Sequence, residues 1–132
     1  MSTDNDNGER YGEYIQREYG GAVYGKAQNL TIEMQAAYDE ALADADALVM
    51  PTVPVKPPEK GALTGLEQRF GEEQHIPAIV KNTSIFDVTH HPALTVPCGE
   101  ADDTPVGMML VGERFDDATL LKLGYAYEQY TN

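Results

Sequence analysis

The chain has 132 residues, 42% of them hydrophobic, and sets 9 basic side chains against 22 acidic ones for a formal net charge of −13. A length of this order suits one domain that buries roughly two thirds of its unfolded surface, and so negative a field repels nucleic acid and anionic membrane, which removes both as expected partners. The acids are spread along the chain rather than massed in a tail, which reads as a solvated surface kept soluble at high salt, as a halophilic organism would need.

Residues 1–8 are polar and rich in Asn, Asp and Gly, and a disordered start is expected there. From Glu9 to Tyr19 the spacing of Tyr11, Ile15 and Tyr19 predicts a short helix stopped by Gly20 and Gly21, its tyrosines docking on a neighbouring surface. Lys26 to Ala45 is the clearest helix. Leu30, Met34, Ala37, Tyr38, Ala41, Leu42 and Ala45 fall on one face of a 3.6-residue period, a pattern that predicts a helix covering one side of a sheet. Ala47–Met50 then reads as a buried strand closed by Pro51 and Pro54, and a helix feeding a strand in this way is half of an α/β unit.

Pro51 to Pro77 is a proline-rich loop in which Gly61–His75 forms one irregular helical turn at most; such a loop either walls a substrate cleft or stays floppy. A further helical turn is expected near Ser84–Val88. Two strands follow, 93–97 and 106–111, joined by the Gly99–Pro105 loop, whose Asp102 and Asp103 read as solvated turn residues. In the second strand Val106, Met108 and Leu110 alternate with Gly107, Met109 and Val111, so neither face is polar. A strand of that kind is buried on both sides, as in a parallel sheet covered by helices. The last helix is well marked: Asp116 is placed to N-cap it, Asp117 complements its dipole, and Phe115 and Leu120 are spaced for a hydrophobic staple. Leu120, Leu123, Gly124 and Tyr127 form its stripe, with Gly124 suited to close packing on a sheet.

Cys98 is the only cysteine, which excludes an internal disulfide. The opening MSTDNDNGER has neither the basic nor the apolar region of a signal peptide, and no apolar run approaches the roughly 20 residues that span a bilayer, so the chain reads as cytoplasmic. The triplets Asn29–Thr31 and Asn82–Ser84, without such a peptide, are chance matches to a glycosylation site.

Few residues carry chemistry. The two serines, Ser2 and Ser84, lie outside any Gly-rich turn, and no nucleophile elbow, phosphate loop, dinucleotide fingerprint or HExxH occurs, so no cofactor is expected. His90 and His91 are adjacent, and on an extended chain they point to opposite sides and cannot chelate one metal; His75 is isolated, and no metal site is expected. Cys98, His91 and Asp87 are the residue types of a thiol nucleophile, its base and an orienting acid. They lie within twelve residues on a mostly extended path, however, and Cys98 between Pro97 and Gly99 reads as a small buried apolar residue.

Four pieces, YGKAQNL at 24–30, ALVMPTVPV at 47–55, NTSIFDVTHHPALTVPCG at 82–99 and PVGMMLVGERFDDATLLKLGYAYEQ at 105–129, resemble in order the C-terminal portion of the amidase signature family, nearest its hydrolases of simple or aromatic amides. That resemblance implies an α/β fold, here part of a mixed sheet flanked by helices, with residues 1–23 a polar lead and 24–132 the C-terminal part of an amidase-like domain. It also implies hydrolysis of carboxylic amides through a Lys–Ser–Ser triad carried by a Gly/Ser-rich region. This chain has no such region, so the resemblance assigns no catalytic residue to it and predicts a fragment or one half of a split enzyme, inactive alone. The expected partner is the N-terminal half of an amidase, or a second copy, with a small amide as substrate of the assembled site; a non-catalytic α/β interaction module is the alternative. Thr83, Asp87, His90 and His91 fall in the segment that approaches the family's substrate pocket and are the candidate lining residues. His90 stands where the family has Gly, and Ile85 where Pro is common; if that Gly needed positive φ, His90 would carry strain of about 1 kcal/mol or more.

Overall fold

A computed structural model describes residues 4–57 and 79–131. Its elements are α1 (Asp4–Tyr19), α2 (Gly21–Leu42), β1 (Leu48–Pro51), α3 (Ser84–Thr89), β2 (Ala93–Ala101), β3 (Thr104–Val111) and α4 (Asp117–Thr131). By internal packing the chain divides into two units, Met1–Ala37 and Tyr38–Asn132.

In the first unit the helix extends further back than the polar composition suggested: residues 4–8, expected to be disordered, are its first turns. Arg17 lies in its last turn, where a cation complements the negative end of the helix dipole. Gly20 then breaks the chain as expected. It adopts φ +58°, and its N–H reaches back to the Gln16 carbonyl at 2.9 Å, a left-handed cap that Gly adopts without a Cβ penalty. Tyr14, Ile15, Tyr19, Val23 and Tyr24 are exposed on α1 and the start of α2.

The second unit is built on a three-stranded sheet in the order β1–β3–β2, with both neighbours antiparallel to the central β3. The expectation that β3 is covered on both faces holds over its last residues, where Met109, Leu110 and Val111 are all buried. The parallel arrangement offered to explain it does not. Every strand pair among the described residues is antiparallel: β2 returns directly into β3 through a tight turn, which only antiparallel strands allow, and β1 pairs with β3 in the same sense. That turn is Asp102–Asp103, with φ +50° and +59°, between the paired residues Ala101 and Thr104. Two positive-φ residues between antiparallel strands match the strand twist, and Asp tolerates the left-handed region better than most residues. Both strands therefore run further than 93–97 and 106–111. Lys56 pairs with Asp102, so one of the two turn acids has a partner besides water.

Register fixes what each face meets. Leu48 and Ala93 lie opposite Val111, and Met50 and Thr95 opposite Met109, so these share one face. On it Met109, Val111 and Phe86 are buried against Tyr38, Leu48, Met50 and Ile85. The Tyr38 and Phe86 rings meet edge-on, centroids 5.2 Å apart. The other face carries Leu94, Val96 and Leu110 under α4. There a Cβ on Gly124 would stand 2.6 Å from Leu94 Cδ2, so the expected close approach of helix and sheet is real.

Both ends of α2 differ from expectation, and it begins at Gly21 rather than Lys26. α2 ends at Leu42 rather than Ala45, because Ala43 N–H and Ala45 N–H bond three residues back, to Glu40 and Leu42, which tightens the chain out of the α-helix. At α4 the cap is as expected, Thr119 N–H donating to Asp116 Oδ1 at 3.3 Å. The staple is absent. Phe115 takes φ +69° and is 93% exposed, so its ring cannot reach Leu120. The helical turn proposed for Gly61–His75, and His75 itself, lie outside the described residues. Among the described residues no helix is long and apolar enough to cross a membrane.

Candidate functional site

The four candidate lining residues cluster around α3 but do not share an environment. Thr83 precedes the helix, half-buried, its hydroxyl donating to the Val80 carbonyl at 3.2 Å rather than capping α3. Asp87 is exposed on the helix. His90 is the C-cap, exposed, with φ +62° and ψ +24°, and its N–H donates to the Phe86 carbonyl at 2.8 Å. The position therefore does take the left-handed conformation that glycine adopts freely, and His90 holds it at a cost.

His91 is the opposite case. Its side chain is 0% exposed. Nδ1 lies 3.0 Å from the Thr89 hydroxyl and Nε2 lies 3.2 Å from Asp39 Oδ1. The second oxygen of that carboxylate accepts from Arg114 Nη2 at 2.7 Å, and the Tyr38 ring lies against the imidazole, centroids 5.5 Å apart. Both ring nitrogens are thus engaged and neither faces solvent. The arrangement ties three segments that are distant in sequence: the last turns of α2, the α3–β2 joint and the turn after β3. A buried polar group satisfied on every side in this way fixes one packing and penalises others. Asp39 and Arg114 escape sequence inspection because each looks like one more surface charge. Asp39 falls off the apolar stripe of α2 and is 43% exposed, so no local pattern marks it.

The thiol triad does not form. His91 spends its nitrogens on Thr89 and Asp39, not on Cys98 or Asp87, and Asp87 is exposed. Cys98, expected to be buried, is exposed. The reason is a β-bulge: register shifts between Pro97 and Glu100, and Gly99 takes φ +109°, which lifts this part of β2 out of the regular ladder.

A separate concavity opens where β1 leaves the sheet. It has a volume of about 630 Å³ and is lined by the continuous segment Pro51–Pro57, by Ile79 and by the hairpin residues Ala101 and Thr104–Gly107. Its walls are mostly Pro and Val. Asn82 Nδ2 donates to the Pro51 carbonyl at 2.7 Å, Thr52 N–H to the Gly107 carbonyl at 3.0 Å, and the Thr52 and Thr95 hydroxyls are 3.1 Å apart, so the entry to the proline segment is pinned to the sheet. None of Thr83, Asp87, His90 and His91 lines this concavity.

The chain is similar to known proteins over most of its length. The Amidase family profile matches residues 8–121. The chain is 46% identical over 115 residues to the "Uncharacterized protein in nthA 5'region" of Rhodococcus erythropolis, covering 83% of this chain and 54% of that one. It is 41% identical over 113 residues to an enantioselective amidase of Rhodococcus rhodochrous, covering 85% of this chain and 22% of the enzyme. Among solved structures, an amidase crystal structure superposes with a TM-score of 0.72 at 25% identity, over 98% of this chain and 29% of that one. The chain thus spans about half the length of the first relative and under a quarter of the second.

Proposed function

The chain belongs to the amidase family, and from that premise we propose that it forms the C-terminal part of an amide-hydrolysing fold whose nucleophile and base come from elsewhere. The reaction of the assembled site is R–CO–NH₂ + H₂O to the carboxylic acid and ammonia, by attack of a serine activated by a lysine. The observation that carries this reading is a family match across most of the chain combined with a shortage of the triad's residue types. Ser84, the one serine among the described residues, is the first residue of α3 and outside any Gly-rich turn. Lys26 and Lys81 are exposed, and neither bonds a serine among the described residues. An acyl-transfer site without nucleophile or base retains little activity, so the chain alone is inactive.

In this reading residues 24–132 are the domain portion and 1–23 a polar lead. Thr83, Asp87 and His90 face the substrate pocket once the missing part is in place, and His91 contributes from behind by fixing the α3–β2 joint. The protein works in the cytoplasm, and its acidic surface suits high salt, where screening blunts the mutual repulsion of its charges.

The test pairs two assays. Ammonia release from a simple and an aromatic amide by the purified chain is expected to stay at background. Co-expression with the part of the R. rhodochrous enantioselective amidase that this chain does not match is expected to restore turnover. Turnover by the chain alone that survives Cys98→Ala overturns the proposal. The alternative, a non-catalytic interaction module, draws on the exposed Tyr14, Ile15, Tyr19, Val23 and Tyr24 of the first unit. Self-association without turnover in the co-expressed pair is the outcome that favours it.

A further inference from the structure

The concavity beside β1 combines three properties that a ligand site needs. Its volume of about 630 Å³ falls within the roughly 300–1,000 Å³ typical of small-molecule pockets. Its walls, drawn from Pro51, Val53, Pro54, Val55 and Val106, are apolar, and the prolines hold fixed φ, so little backbone order remains to be lost on binding. Its rim carries a cation, Lys56, one of only nine basic residues in a chain of net charge −13.

What Lys56 already does identifies the ligand. Its ammonium is held by the Asp102 carboxylate at the tip of the β2–β3 hairpin. Both side chains are largely exposed, 68% and 78%, so the pair is weak and exchangeable. A carboxylate tethered to a ring or short alkyl body can replace the Asp102 carboxylate at Nζ while its apolar body enters the space between the proline segment and the hairpin. Asp102 itself cannot fill that space, since it sits in a tight turn at φ +50°. Thr104 also lines the concavity, its hydroxyl donating to the Asp102 carbonyl at 3.4 Å. We propose that this concavity binds a small hydrophobic carboxylic acid, its carboxylate on Lys56 and its body on the proline and valine walls. Such an acid is also what amide hydrolysis releases, so the site would hold product; that last link rests on the functional reading above, whereas binding itself does not.

The test is an NMR titration of the ¹⁵N-labelled full chain with benzoate, and with benzamide as the uncharged analogue, both at the same moderate salt, since high salt would screen an exposed ion pair. Saturable shifts are expected at Val53, Val55, Thr104 and Val106, with benzoate bound about twofold more tightly than benzamide, less than the roughly fivefold of a free exposed ion pair because Asp102 competes for Lys56. Lys56→Gln should equalise the two ligands, and Asp102→Asn, which frees Lys56 without altering the turn, should tighten benzoate. Both substitutions are at exposed positions and leave the core intact. Absence of saturation, equal affinity of the two ligands in the unmodified chain, or a benzoate preference that survives Lys56→Gln each overturns the proposal. The binding result is independent of whether the co-expressed enzyme turns over, so failure of either reading is visible separately.

Discussion

α4 and the first two thirds of α2 carry the same sequence signal and meet different fates. Both present an apolar stripe at helical spacing. In α4 the stripe is consumed: Leu120 and Gly124 are buried and Leu123 and Tyr127 half-buried over Leu94, Val96 and Leu110. In α2 only the last turns are used, where Tyr38 packs on the core and Leu42 is 1% exposed, while Leu30, on the same stripe, is 49% exposed. Periodicity therefore states that a helix has a face to bury, not what buries it. For α4 the partner lies in this chain.

Substitutions can break that comparison. Leu120→Ala is expected to cost about 2–5 kcal/mol, transfer and cavity terms together, read as a lowered urea midpoint at constant slope. Gly124→Val should cost about 1–3 kcal/mol by overpacking against Leu94, and a neutral result would mean that α4 rides higher on the sheet than described. Asp39→Ala, at the boundary between the used and unused parts of α2, leaves His91 Nε2 buried without its acceptor, and a loss of about 1–3 kcal/mol should follow. Leu30→Ala is expected to stay within about 0.5 kcal/mol. A Leu30→Ala cost as large as that of Leu120→Ala would show the α2 stripe to be covered in solution. In the opposite direction, His90→Gly should stabilise by about 1 kcal/mol, since glycine removes the left-handed strain at the α3 cap.

The same contrast separates what could be read from the chain from what could not. Gly20, Asp116 and Gly124 each act through one local rule, and the structure has each where that rule put it. The helical turn at Ser84 and the strand at Leu48 were likewise legible from short apolar runs between breakers. Strand direction was not, because alternation without a polar face reports that both sides of a strand are covered and is silent on which way its neighbours run. Phe115 and Cys98 were misplaced for a shared reason. Both sit beside a positive-φ residue or adopt one, and a single left-handed residue redirects a side chain that spacing alone would send inward. At the candidate site, residue types were legible and convergence was not. Asp39 and Arg114 reach His91 from far along the chain, and no local pattern announces that.

The Asp102–Asp103 turn has a kinetic consequence. It joins β2 to β3 with the shortest possible loop, whereas β1 reaches β3 only by pairing Leu48 with Val111 across most of the second unit. Closing the long loop costs more chain entropy than closing the short one, so the hairpin assembles first and β1 is recruited to a preformed edge. Turn variants at Asp102 and Asp103 should then alter the refolding rate, while changes at Leu48 and Met50 should act mainly on the unfolding rate. The strand that leads into the proline-walled concavity is the last part of the sheet to arrive.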